Sequence, residues 1–455
     1  MTEIAHNPNL NPPAAGTDDS ANRRRALVGG IVGYFVDQFD IYLPVIVLAP
    51  AMSFFVPKNL DAGTAAIIAA FVFTATLIGR PIGAAIFGVI ADRTGRRKAT
   101  IIAIAGIAVT TLLIGLLPGY ASVGLWGIGL LILLRLVDGV FLGGEYTAAI
   151  PLAMEWTPKR RRGLASGLIT MTSPGALCLI SALTLLLLQI FPAGATDSPY
   201  SVWGWRIPFF IGAGLAVAFL VYFVRQVPES QAWENAEPAA KHVSPLRQLF
   251  TGTNRRSLLQ VFVLMTGIWI ALNISASVLP GLTSKVAGLT PTQLTVALII
   301  ASAASAVTYP LAGLLSQRVG RRPFYIGVGL LVAVVGAGAT AALAAAAAPG
   351  FGLAVLLLTV AFVVGILAFG PIAAYMTERF PAALRSTGYG IGYSLALVIP
   401  AFYAYYLVGL GDLFGPTYAS AILMAIGGLL IAVGALLGPE TRDVDMGATA
   451  SASQH

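Results

Sequence analysis

An all-α integral membrane fold, with twelve transmembrane helices in two parallel-repeat six-helix bundles, is predicted by three observations on this chain. Hydrophobic residues make up 57 % of it and charged residues only 10 %, against roughly 25 % charged in soluble domains. Apolar runs long enough to cross a bilayer recur along it. A loop sequence also returns half the chain later: GVIADRTGRRK from Gly88 reappears as GLLSQRVGRRP from Gly313. Gly88 and Gly313, Arg93 and Arg318, Gly95 and Gly320, Arg96 and Arg321, and Arg97 and Arg322 align at an offset of 225. EWTPKRRRG and ERFPAALRS align Glu155 with Glu378 and Arg162 with Arg385 at an offset of 223. Two independent matches at nearly one offset mean one unit duplicated head to tail, an organisation typical of transporters.

The apolar runs predict helices over 26–52, 63–91, 99–118, 123–152, 164–191, 206–225, 257–281, 293–316, 323–346, 352–376, 388–409 and 415–438. Polar residues 1–22 precede the first run, so that run reads as a span rather than a cleaved signal peptide. Of the 27 Lys and Arg, 22 fall in the tails and even-numbered loops, whereas only Lys58, Arg206 and Lys285 fall on the opposite side. That bias puts both termini in the cytoplasm of a multi-pass cell-membrane protein. Equivalent loops on one side require an even number of crossings per unit, and six satisfies it. The domains follow: a polar tail over 1–25, a first bundle over 26–225, a cytoplasmic linker over 226–256, a second bundle over 257–438 and a tail over 439–455.

Several function classes are excluded at this stage. Cys178 is the single cysteine, and the histidines, His6, His242 and His455, sit in the tails or the linker. Membrane hydrolases that pair Ser with His therefore have no base here, and no cysteine-built metal site exists. No GxxxxGK[ST] loop is present, which argues against direct coupling to ATP. The net charge of +8 is a topology signal rather than a nucleic-acid footprint. A transporter-like receptor would need a signalling domain, for which the tails and linker are too short.

The duplicated loop resembles the signature of the major facilitator superfamily between helices 2 and 3, with its weaker copy between helices 8 and 9. RPIGAAIFG, RLVDGVFLGGEYTAA, KRRRG, WGWRIPFF and VPES resemble the metabolite:proton symporter family within it. That resemblance implies the major facilitator fold and proton-coupled import of osmolytes, dicarboxylates, citrate or aromatic acids. VGYFVDQFDIY on helix 1 is similar to the family pattern but departs from it, with Asp37 where a Glu is usual and Tyr34 where an Asn is usual.

Charges at membrane depth carry the mechanistic signal. An ionised side chain at the bilayer centre costs about 2.5–3.5 kcal/mol on insertion scales, so each should have a partner or a task. Asp37 lies roughly 16 Å into helix 1, with Asp40 one turn on. Arg135 and Arg80 lie roughly 18 Å into helices 4 and 2, and Asp138 follows Arg135 by one turn. Three acids thus face two arginines. A carboxylate that alternates between a desolvated site and an arginine can load and release a proton. Asp37 or Asp40, coupled to Arg135 and Asp138, is therefore the expected proton carrier, leaving an arginine, Arg80 or Arg135, to meet an anionic substrate. In related sugar symporters a helix 1 Asp is coupled to a helix 4 Arg, which the resemblance extends to these positions. The alternative is a static ion-pair cluster holding helices 1, 2 and 4 together.

Glu145 lies about 10.5 Å beyond Asp138 along helix 4 and is either a second proton stop or part of a cytoplasmic gate, the gate being preferred because Gly143 and Gly144 allow close approach. In the loop signature, Asp92 is expected to accept hydrogen bonds or pair with basic residues, and Gln317 in the second copy to clamp less. The remaining gate residues are Gly88, Arg93, Gly95, Arg96, Arg97, Glu155, Arg162, Gly313, Arg318, Gly320, Arg321, Glu378 and Arg385. From the second bundle, Trp269, Asn273 and Tyr393 are candidate substrate ligands. Phe369, Gly370 and Pro371 indicate a break in helix 10, with Tyr375 one turn on as a further candidate. The expected activity is proton-driven import of a small organic anion by a monomer with no cofactor, no metal and no nucleic-acid partner. A zwitterionic osmolyte, a sugar-like solute or efflux by antiport are the alternatives.

Overall fold

The computed structural model describes residues 17–57, 62–194, 197–235 and 244–446; His6, His242, His455, Lys58 and Lys241 lie outside the described residues. Among the described residues, twelve helices are long and apolar enough to span a membrane. They are α1 (Ser20–Val47), α2 (Thr74–Thr94), α3 (Arg96–Gly115), α4 (Trp126–Trp156), α5 (Lys159–Ile190), α6 (Tyr200–Gln226), α7 (Gly252–Ala287), α8 (Thr292–Val319), α9 (Arg321–Ala345), α10 (Phe351–Glu378), α11 (Ala382–Phe414) and α12 (Ala419–Leu436). All twelve expected spans are present, and several run past their expected ends. The first helix starts at Thr17, so the end of the expected tail is helical: Arg23–Arg25 are good helix formers and the chain has no reason to unwind before it leaves the bilayer. In the expected linker, Gln231–Glu234 and Pro245–Leu249 form short helices.

Association of these helices relies on close backbone approach rather than on a hydrophobic drive, since lipid is as apolar as the helix surfaces. Along the α2–α4 seam a Cβ on Gly139 would collide with the Thr76 backbone, and one on Gly143 with that of Arg80. The seam thus fixes the depth and direction of Arg80. Breaks supply the rest of the interior's polar chemistry. As expected, α10 is interrupted, by a 3-10 turn at Leu367–Phe369. The interruption in α11 at Pro400–Phe402 was not foreseen. Both freed carbonyls find donors, as backbone in lipid must: the Ser166 hydroxyl donates to Gly370 O at 2.8 Å, and Asn273 Nδ2 to Pro400 O at 2.8 Å.

One side of the bundle gathers the α2–α3, α4–α5, α8–α9 and α10–α11 loops with the linker and the C-terminal segment. Trp233 Nε1 donates to Asp92 O at 2.8 Å and Arg162 Nη1 to Val444 O at 2.7 Å. Arg23 lies beside Glu155 and Asp445 on the same side. We call it the terminal side.

Candidate functional site

Two layers make up the site: a midplane cluster and, toward the terminal side, an interlock between the bundles.

At midplane the expected three acids and two arginines separate into two groups. Arg135 Nη1 donates to Asp40 Oδ2 at 3.0 Å and Asp138 Oδ2 at 2.9 Å, while Thr111 donates to Asp40 Oδ1 at 2.6 Å and Thr110 to Asp138 Oδ1 at 2.7 Å. Helices α1, α3 and α4 enclose this group, with Asp40, Asp138 and Arg135 at most 2 % exposed. Two carboxylates thus engage Arg135 and α3 covers it, while its Nε is buried without a partner. Thr110 and Thr111 on α3 were missed, because a threonine in an apolar helix ordinarily bonds only its own backbone.

Arg80 belongs to the second group. Its Nη2 lies 3.6 Å from Asp37 Oδ2, beyond hydrogen-bond range, and both its Nε and its Nη2 are buried without an acceptor. Its guanidinium sits over the Tyr146 ring at 5.8 Å, within cation–π reach. Asp37 Oδ2 accepts from Gln38 Nε2 at 3.0 Å, and Asp37 Oδ1 is buried with no partner.

The second bundle faces this group with aromatic rings. Trp269 packs on Tyr393 at 5.1 Å and on Phe369 at 5.6 Å, and its Nε1 donates to Tyr393 O at 3.0 Å. Tyr393 packs on Tyr146 at 5.0 Å and stacks on Tyr389 at 6.0 Å. The Tyr34 and Tyr393 hydroxyls meet at 3.5 Å, and those of Tyr146 and Ser394 form a short bond across the bundles. Trp269 and Tyr393 are therefore brought to the Arg80 group. Asn273 instead serves the α11 break. Tyr375 is corrected: it accepts from Gln260 Nε2 at 2.8 Å and packs on Tyr325 at 4.9 Å, beside Gly438 near the terminal side. The helical segment beyond the break, Ile372–Glu378, places it in the second bundle's own core.

The interlock follows the repeat. Gly95 and Gly320 have φ of 108° and 103°, a backbone region that side chains rarely tolerate. After each turn a carboxylate caps the next helix: Glu229 accepts from Arg96 N and Arg97 N at 3.0 Å each, and Glu440 from Arg321 N at 2.8 Å and Arg322 N at 3.0 Å. Both caps were missed as a pair, although VPES and GPET place Pro, Glu and Ser/Thr alike at an offset of 211. Burial pushes the Glu229 carboxyl above its usual range. Burial pushes Glu440 the same way, but backbone N–H donors from Arg442, Arg321, Arg322 and Thr441 outweigh it and hold that carboxyl low.

Across the bundles, Asp92 accepts from Ser386 N at 3.1 Å, Thr387 N at 2.9 Å and the Thr387 hydroxyl at 2.7 Å, with Gly88 packed against Thr387. Arg96 Nη2 donates to Ala382 O at 2.5 Å and lies 3.3 Å from Asp92, and its Nε lies 3.5 Å from Glu155. Glu155 also accepts from Arg385 at 2.5 Å. In the second copy, Gln317 accepts from Gly163 N at 3.0 Å where the Gly313 and Gly163 backbones touch. Arg321 pairs with Glu378 at 3.1 Å, and Arg162 lies 4.0 Å from Glu378. Arg97 donates to Val227 O at 2.7 Å, and Arg93 and Arg318 are exposed. These cross-bundle bonds shut the terminal side in this structure. Glu145 joins none of these bonds: Gly33 of α1 and Phe219 of α6 pack on its carboxyl.

A Major Facilitator Superfamily model matches residues 30–404. The chain belongs to that superfamily. With twelve candidate spans among the described residues, it is a multi-pass membrane protein. It is 33 % identical to the alpha-ketoglutarate permease of Escherichia coli over 245 residues, covering 54 % of each protein. To a proline/betaine transporter of Salmonella typhimurium it is 30 % identical over 230 residues, covering 50 % of this chain and 44 % of that protein. The alignments thus span about half the length of these curated relatives. The solved proton:xylose symporter bound to 6-bromo-6-deoxy-D-glucose superposes with a TM-score of 0.75, over 93 % of this chain and 97 % of that one, at 18 % identity, and shares the fold.

Proposed function

We propose that this superfamily member imports a small carboxylate-bearing solute together with protons across the cytoplasmic membrane, with the terminal side in the cytoplasm. The observation that carries the reading is Arg80, a buried guanidinium at the bundle interface with two nitrogens lacking acceptors. A buried donor left unmade costs about 1–3 kcal/mol, more when charged, and a substrate carboxylate removes that cost. Two carboxylates on one Arg135 nitrogen supply the proton store: like charges that close share a proton readily. Carboxylate binding at Arg80 would release Asp37 from its long pairing and couple the two groups through α1. The proton is the coupling ion in this reading, and the transporter works as a monomer.

The ring wall of Tyr146, Trp269, Phe369, Tyr389 and Tyr393 favours a second reading, a betaine-like zwitterion, since aromatic faces hold quaternary ammonium groups. The relatives named for alpha-ketoglutarate and for proline/betaine accord with the two readings in turn.

Purified protein in proteoliposomes, with labelled 2-oxoglutarate and labelled glycine betaine under an imposed pH gradient, tests both. Concentrative uptake that a protonophore abolishes is expected, with at least a tenfold loss in Arg80→Gln and partial retention in Arg80→Lys. Unchanged uptake by Arg80→Gln sinks the anion site. Equal filling without a gradient points to a facilitator.

A further inference from the structure

Glu145 is a buried acid without a partner. It is 1 % exposed, and both of its carboxyl oxygens lack a hydrogen-bond partner. Gly33 of α1 packs so closely on Oε1 that no Cβ fits there, Phe219 of α6 closes the same slot, and Phe87 of α2 covers the adjoining Gly144. The charged or titratable groups that face it are Asp37 from α1 and Tyr389 from α11. No cation lies within ion-pair distance of it among the described residues. An ionised carboxylate there would have neither donor nor counter-charge, a penalty of several kcal/mol. In this closed conformation the group is therefore a neutral acid.

Its position along the membrane gives that proton a use. Gly33 precedes Asp37 by four residues, so Glu145 touches α1 one turn, about 5–6 Å, on the terminal side of Asp37. Asp37 Oδ1, also buried and unpartnered, lies at the other end of that turn. The interlock that separates Glu145 from water includes Asp92, Thr387 and the Tyr146–Ser394 bond.

We propose that Glu145 is a second proton-binding site, on the exit from Asp37 toward the terminal side, which keeps its proton while the interlock is shut and gives it to water when the interlock parts. The neutral carboxyl loses its proton to the entering water and is left as a carboxylate that the water solvates. Re-closure requires a new proton, which passes from the Asp40–Asp138 store through Asp37 along α1 and so restores the neutral carboxyl. The inference rests on the proton-coupled reading above.

Infrared spectra of the purified protein at neutral pH give the first test. The wild-type minus Glu145→Gln difference should contain the C=O stretch of a protonated carboxyl group, and an empty difference overturns the proposal. Transport gives the second, with labelled 2-oxoglutarate and glycine betaine in proteoliposomes. Glu145→Gln should keep solute-for-solute exchange but lose the about tenfold accumulation that one proton per solute draws from a gradient of one pH unit. A coupled wild type and an equally coupled Glu145→Gln overturn the Glu145 assignment alone. A wild type that fills equally without a gradient overturns the coupling reading and the Glu145 site with it. Loss of exchange along with accumulation, in a variant inserted normally, also overturns the proposal, because a merely structural slot would then account for Glu145.

Discussion

The two bundles carry the same loop and use it unequally. In the first, Asp92 collects three donors from the start of the helical part of α11 and stands beside Arg96. In the second, the equivalent Gln317 collects one cross-bundle donor, from Gly163. The difference is that of a charge against a dipole: a carboxylate at a helix N-terminus gains from the helix field as well as from its bonds, whereas an amide gains only the bond. The same inequality holds at midplane. Every ionic group there belongs to α1, α2 or α4, and the second bundle answers with rings. Ion chemistry is thus confined to one half, and the other offers a wall against which it can move.

The comparison can be broken most severely at midplane. Replacing Arg135 with Met strands Asp40 and Asp138, and should destabilise the protein by about 3–5 kcal/mol; Tyr375→Phe in the second bundle should cost about 1 kcal/mol. Thermal unfolding in detergent measures both, and equal costs would contradict the division of labour.

Next in size is the gate. Asp92→Asn forfeits charge-assisted bonds worth about 2–3 kcal/mol and should open the terminal side. A cysteine in place of Ser166, buried against Gly370 of the other bundle, should then react with a thiol reagent, in a background lacking Cys178. Gln317→Ala removes its bonds from Gly163 N and from Arg321 Nη2, but only the first, a neutral bond of about 1 kcal/mol, crosses the bundles, so it should expose the same reporter less. Equal labelling would show that the two loops clamp alike.

The smallest effect separates the two caps by pH. Glu440 has a lowered folded-state pKa, so its stabilising effect is present above the unfolded value of 4.5 and is lost as pH falls through the folded one. Glu440→Gln should therefore lower the thermal midpoint at pH 7, and the gap should close in acid. Glu229 is shifted upward, so its ionised form is disfavoured on folding and Glu229→Gln should cost less at pH 7. A larger cost at Glu229 would reverse the ranking.

Much of the site was legible in the residues. Asp37, Asp40, Arg80, Arg135 and Asp138 announce themselves because charge in an apolar helix has few neutral explanations. Trp269 and Tyr393, expected at midplane, pack on each other there, Tyr393 against Tyr146. Tyr375 was misplaced because a break changes the face that a helix presents, and one sequence does not state by how much. Glu145, read from its distance along α4 as a gate residue or a second proton stop, takes no part in the interlock bonds because Gly33 and Phe219 pack on its carboxyl.

By itself the sequence determined the twelve spans, their duplication and the depth of each buried charge, since all three follow from hydropathy and from the fixed rise of a helix, properties of the chain taken locally. Which acid meets which arginine was decided only by the tertiary structure. Asp37 and Asp40 are three residues apart, yet one reaches Arg80 and the other Arg135, because ion pairing depends on a few ångströms of rotation and approach that the glycine seams between helices set.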